Sequence, residues 1–135
     1  MTKKLLLVDF ENIQDVDLSA FDNSFHIVIF VGASQKTLPT NLVIKNQKLG
    51  SRLEWKQVEG NGKNALDLCI AYELGKIFEK EPQAECIILS KDKGFKPLLD
   101  DLKKKSRNCK RIESLPEHKP ADKSSTLPAA KKVQK

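Results

Sequence analysis

The stretch LLLVDFEN, residues 5–12, sets four apolar residues in a row before an aspartate, Asp9, and then follows it with Phe10, Glu11 and Asn12. A run that is apolar at every position, rather than at every second one, marks a strand covered on both faces, as in parallel sheets. FHIVIFV (25–31) and ECIILS (85–90) read the same way. LEWKQVE (53–59) is a weaker strand in which Val58 falls out of phase with Leu53 and Trp55, and CKRIES (109–114) is a short fifth. Helical patterns fill the intervals at about 38–49, 64–80 and 94–105. Strands alternating with helices imply right-handed βαβ crossovers and a parallel sheet with helices on both faces. The polar stretch from Ile13 to Ser24, with Asp15, Asp17 and Asp22, is open between a short helix and an ordered loop.

Three aspartates stand where the chain changes from apolar run to helix: Asp9, Asp67 in GNGKNALD (60–67) and Asp92 in IILSKDKGF (87–95). In a parallel sheet these changeovers lie along one edge, where open α/β sheets keep their sites. Carboxylates crowded there repel one another unless a cation is present, so the pattern points to a divalent metal site acting on a phosphate-bearing substrate. Each acid also has a plainer explanation. Asp9 could close an Asx-type turn. Asn64 followed by Ala65, Leu66 and Asp67 matches a capping box, yet a helical wheel puts Asp67 on the same arc as Leu66, Ile70, Leu74, Ile77 and Phe78. Glu73 falls on the wider arc and is a reserve candidate. Asp92 could be the N-cap of a helix with Pro97 in its first turn, although Ser90 and Asp92 also lie directly after an apolar strand, at the same edge as Asp9.

Other chemistry is less well supported. The loop GNGKN (60–64) lacks both the leading glycine and the hydroxyl of a Walker loop, since Gln57 and Asn64 hold those places, but its amides and Lys63 could meet a nucleic-acid phosphate. Cys69, Cys86 and Cys109 include no CxxC pair and read as structural thiols, with His26 and His118 too isolated to complete a zinc site. The net charge of +6 divides into +3 on residues 1–115 and +3 on residues 116–135. KKKSRNCKR, residues 103–111, holds six basic residues in nine, either a solvated helix end or a track for a phosphate backbone. The chain has no run of eighteen apolar residues and no signal-peptide pattern, so a soluble protein with no membrane association and a cytoplasmic location is expected. One domain over 1–115 followed by a disordered basic tail over 116–135 is the expected organisation.

In their order, these motifs resemble the PIN-like superfamily, including its NYN branch: LLVDFENI as the opening strand and acid, GKNALD as the acid of the central helix, and LSKDKGFKPLLDDL as the SxDxDF-type segment. The resemblance covers roughly residues 4–112. It implies a Rossmann-like three-layer α/β/α sandwich on a mostly parallel five-stranded sheet. It also implies a ribonuclease using Mg²⁺ or Mn²⁺ held by the catalytic Asp9, Asp67 and Asp92, with Asn12 and Ser90 in support. Asn12, Lys63, Ser90 and Lys93 are the candidates for touching substrate. RNA is the implied partner, and a homodimer or a protein partner stays open. One departure matters: where nuclease members often place a further acid two residues after the last aspartate, this chain has Gly94, and Asp100 and Asp101 are two helical turns away. The alternative is therefore a degenerate module that binds RNA or a protein without cutting. Phosphoryl transfer on an aspartate fits poorly, because Phe10 and Glu11 follow Asp9 in place of a second Asp and a Thr.

Overall fold

Four consecutive apolar side chains are buried together only if both faces of their strand are covered, and β1 (Lys4–Asp9) accordingly occupies the centre of a five-stranded sheet. In the computed structural model, which describes residues 2–13, 16–19, 21–60, 62 and 64–115, the elements follow as β2 (His26–Val31), α1 (Thr40–Lys45), β3 (Leu53–Gln57), α2 (Ala65–Lys80), β4 (Glu85–Leu89), α3 (Lys96–Lys104) and β5 (Asn108–Ile112). The sheet order is β3-β2-β1-β4-β5 and every pairing is parallel. The expected Rossmann-like α/β architecture is therefore present, with no antiparallel strand among the described residues. The expected tail, 116–135, lies outside the described residues, as does Lys63.

The pleat divides the core in two. Leu5 and Leu7 of β1, Val28 and Phe30 of β2, and Cys86 and Ile88 of β4 face α2 and α3, where Leu66, Ile70, Leu74, Phe78 and Leu102 meet them. Leu6, Val8, Ile27, Ile29, Ile87 and Leu89 face the other way, toward Leu42 of α1 and the β1–β2 connection. Val58 was out of phase in the sequence because it lies beyond β3 and turns to the α2 face, its amide bonding Val31 O at 2.8 Å, while Leu53 and Trp55 pack on the opposite face. Burial pushes the Cys86 and Cys109 thiols up to about 12, which makes them inert packing groups. No helix among the described residues is long and apolar enough to cross a membrane.

One expectation needed correction. The helix read over about 38–49 ends at Lys45 and gives way to a 3₁₀ stretch, Gln47–Arg52, bent at Gly50 with φ 58°. The cause is Asn46, only 1% exposed, whose side chain turns inward. Its Nδ2 donates to Leu42 O (2.9 Å) and Val16 O (3.2 Å), and its Oδ1 accepts from Leu18 N (2.8 Å). The same three bonds explain the connection after β1: Val16 and Leu18 are core residues there, held by a side chain far along the sequence instead of by a helix.

The chain runs from β1 outward to β2 and β3, then returns through α2 to β4 on the other side of β1. The carboxyl ends of β1 and β4 thus flank the point where the winding reverses, and connections leave in opposite directions from it. Replacing Asn46 with Ala leaves three buried backbone groups without partners, and chemical denaturation should show a loss of about 3 kcal/mol with an unchanged denaturant slope.

Candidate functional site

Asp9 is the last residue of β1 and shares the pleat direction of Leu5 and Leu7, so its side chain emerges on the α2 and α3 side at the winding reversal. It is fully buried, and a buried carboxylate is tolerable only with its oxygens satisfied. Four donors do this. Asn12 Nδ2 (2.6 Å) and Ser90 Oγ (2.7 Å) donate to Oδ2, while the main-chain amides of Glu11 (3.2 Å) and Asn12 (3.4 Å) donate to Oδ1. Ser90, also fully buried, follows β4 on the same face as Cys86 and Ile88, and its Oγ accepts the Asp92 amide at 3.0 Å. Asn12 and Ser90, candidates for touching substrate, thus spend these polar atoms on orienting Asp9.

The Ser90 hydroxyl also begins the turn that presents Asp92. Asp92 Oδ1 accepts the Gly94 amide (2.8 Å), capping the short 3₁₀ turn Lys93–Phe95 that leads into α3. Asp92 thus caps this turn and not α3 itself, whose N-cap position is Phe95, and the cap leaves the carboxyl able to hydrogen-bond Asp67 as well. Asp67 lies in the first turn of α2, the helix that follows β3 and so starts at the same edge of the sheet. The capping-box alternative is not realised: Asn64 is left-handed at φ 70° and makes no side-chain cap bond.

Burial raises Asp67 first, and the hydrogen bond to Asp92 and the charges of Asp92, Asp9 and Glu11 raise it further, to about 7. The same bond, with the Gly94 amide and the charge of Arg111, holds Asp92 below the usual carboxylate range. The two carboxyls titrate as a pair. The three aspartates anticipated from the sequence are therefore electrostatic neighbours. Among the described residues, however, no group of three or more His, Cys, Asp or Glu side chains is arranged to hold a metal ion as the chain stands.

Glu11 is the participant that sequence reading undervalued. It is exposed, yet its charge reaches Asp67 and its carboxylate lies against Gly32, just after β2, so closely that a Cβ on residue 32 would collide with Glu11 Oε2. The absent side chain at Gly32 leaves the space that the Glu11 carboxylate occupies. A Cβ on Gly94 would stand 3.0 Å from Asp92 Oδ1, so an acid at that position would begin beside the site, and Glu11 is the further carboxylate this chain brings to it from the β1 side.

Other acids are accounted for elsewhere. Glu73, the reserve candidate, pairs with Lys56 (2.9 Å) and Lys76 (3.5 Å). Asp100 and Asp101 pair with Lys96 (2.9 Å) and Lys105 (2.7 Å), one helical turn away in each case. Asp17 and Asp22 cap local turns through Ser19 and Ser24, and those bonds hold both below the usual range. Lys93, next to Asp92, is exposed and makes no ion pair among the described residues.

The sequence model of the PIN domain family matches residues 3–112, which takes in all five strands and each acid of the site. No curated protein and no solved structure gives a significant match.

Because Asp67 is raised from 3.8 to about 7, the folded chain holds a proton that the unfolded chain releases, and the stability this contributes is lost as pH rises toward 7. The lowered Asp92 acts in the opposite sense only near and below pH 4, so it does not cancel the trend. In EDTA, the free energy of unfolding should fall between pH 5 and pH 7.5 by on the order of 1–2 kcal/mol after allowing for solvent screening, read as a falling melting temperature. Asp67→Asn, whose amide replaces the proton as a donor, should flatten that profile; an equal slope in the variant would refute the assignment.

Proposed function

Since this chain belongs to the PIN domain family, a nuclease-like superfamily, and gathers Asp9, Asp67, Asp92 and Glu11 at one edge of its sheet, we propose that it is a Mg²⁺- or Mn²⁺-dependent ribonuclease acting in the cytoplasm. The observation carrying this reading is that acids from the end of β1, the start of α2 and the turn after β4 lie close enough at one sheet edge for the charges of Asp92, Asp9 and Glu11 to add to burial in raising Asp67. Carboxylates offer hard oxygen donors, and a doubly charged ion removes the repulsion that the proton now relieves only in part. Asp9, Asp67 and Asp92 would hold the ion, and its arrival would require Asp67 to release its proton and part from Asp92. Bound there, the ion would supply Lewis-acid activation of water and charge neutralisation at the phosphodiester.

The residues of the chain divide the remaining work. Asn12 and Ser90 keep the Asp9 carboxylate from rotating, so it is oriented before a cation or substrate arrives. The Gly94 amide and the Ser90 hydroxyl keep Asp92 at the mouth of the site. Lys93 has its charge free for the phosphate being cut. The reaction needs no covalent nucleophile. The second reading, a module that binds RNA without cutting it, draws support from Gly94 and from the lack of a converged ligand set among the described residues.

Asp9→Asn should lower Mn²⁺-dependent cleavage of RNA by at least about a thousandfold, corresponding to several kcal/mol of transition-state stabilisation. Mn²⁺ at a hundred times its Kd should stabilise the unaltered chain by about 2.7 kcal/mol and leave Asp9→Asn unmoved. An unaltered chain that neither cleaves nor responds to Mn²⁺ would establish the binding module instead. Glu11→Gln and Gly32→Ala, which remove the fourth charge and its seat respectively, should each weaken Mn²⁺ binding by about tenfold, read by the same thermal titration. Retention of full affinity in both would mean that Glu11 is a bystander.

A further inference from the structure

The basic run at residues 103–111 is not one patch on one helix but one part of a groove between two elements. A cavity of about 460 Å³ lies between α3 and β5. The helix contributes Lys96 and Lys103, the strand and its approach contribute Arg107, Lys110 and Arg111, and Lys93 stands at one end. Leu99 and Cys109 lie between these two basic rims, and no aromatic residue lines the cavity. Against six cations stands a single carboxylate, Asp100, already neutralised by Lys96 at 2.9 Å. Arg111 is anchored to Ser90 O (2.9 Å) and Glu113 (3.0 Å), and Arg107 to Lys105 O (3.1 Å), whereas Lys93, Lys103 and Lys110 have no ion-pair partner among the described residues.

Two plainer explanations cover only part of this. Cations in the last turn of a helix complement its macrodipole, which accounts for Lys103. Lys93 and Lys96 stand at the opposite end of α3, where the macrodipole disfavours cations and where the first turn contains no acid. Lysines on an edge strand guard against strand addition, which accounts for Lys110, but the helix rim lies outside that explanation.

The groove is continuous with the acidic site. β5 is parallel to β4, so its Arg111 end lies at the same edge as Ser90 and Asp92, and the charge of Arg111 is felt by Asp92. From there the five residues of β5 extend about 16 Å away from the site. We propose that the α3–β5 groove binds the phosphate backbone of single-stranded RNA and feeds it to the acidic edge. This inference rests on the reading of that edge as a ribonuclease site. Without stacking aromatics the groove contacts phosphates, so its binding is indifferent to base sequence and sensitive to salt.

The test uses the full chain and a fluorescent single-stranded RNA oligonucleotide in EDTA, where binding is separated from hydrolysis. Lys103→Glu/Lys110→Glu is compared with Lys48→Glu/Lys80→Glu, which makes the same change in net charge on other faces. Charge reversal still guards the edge strand, so a loss of RNA is not a loss of that protection. The groove variant should bind at least about tenfold more weakly, and its dependence of log K on log salt should flatten by about 1.4, the value expected for two lost phosphate contacts on a single strand. The control pair should keep most of its affinity. Should the groove pair misfold by circular dichroism, Lys103→Gln/Lys110→Gln takes its place with the same expectation. Unchanged affinity, an equal loss in both pairs, or a selective loss of polyglutamate binding with RNA unaffected would each overturn the proposal, the last in favour of an acidic protein partner. Groove-dependent binding by a chain that never cleaves would preserve the track and refute the nuclease; cleavage untouched by the groove variant would do the reverse.

Discussion

One hydrogen bond organises the site: Ser90 Oγ to Asp9 Oδ2 at 2.7 Å, joining the ends of β1 and β4 where the winding of the sheet reverses. The two residues are 81 apart in sequence, and the bond depends on parallel registry between β1 and β4 and on both side chains sharing one direction of the pleat. Shifting either strand by one residue would send its polar side chain to the opposite face, beneath α1. The apolar registry of residues 5–8 against 86–89 therefore fixes more than stability. It sets the place of a buried carboxylate, and Ser90 passes that constraint on through the Asp92 amide to the turn that presents the third acid.

The sheet was legible because its signal is redundant. LLLV, IVIFV and CIIL have no polar position at which a different period could enter, and their burial on both faces follows from that. The same redundancy made Asp9 conspicuous as the first charge after such a run. Asp67 was harder, because spacing from Asn64 supports a capping box and the wheel supports a buried role equally well. Local pattern cannot weigh a contact with residue 92, which is what decides the matter. The helix over about 38–49 misled for a related reason. Leu38, Leu42 and Leu49 are spaced like a helical face, but Asn46 gains more from closing three buried backbone bonds than from continuing the helix. Glu11 and Gly32 form the least legible pair, since the value of a missing Cβ is a property of the space beside it.

Opposite charges are kept apart with some consistency. Two acids of the site, Asp9 and Asp92, are bonded to neutral donors: an amide side chain, a hydroxyl and main-chain N–H groups. The acids away from it, Glu73, Asp100 and Asp101, are each closed by a lysine. A lysine salt-bridged to Asp9 or Asp67 would have relieved the repulsion as effectively as a proton does. Its ammonium, on a flexible stem and strongly hydrated, would also compete permanently with any cation for the same oxygens. Neutral donors orient the carboxylates without consuming their charge, and Arg111, whose charge influences Asp92, is turned toward Ser90 O and Glu113.

That distinction bears on how the site changes state. A proton on Asp67 relieves its repulsion with Asp92; with the proton gone the two carboxylates repel, and the Gly94 amide and the charge of Arg111 favour Asp92 as the one that stays ionised. Under the ribonuclease reading proposed above, a cation would compete with that proton for the pair. Asp9 takes no part in the change. Its four donors are fixed to β1, its turn and β4, so its carboxylate keeps one orientation whichever of the other two carries the proton.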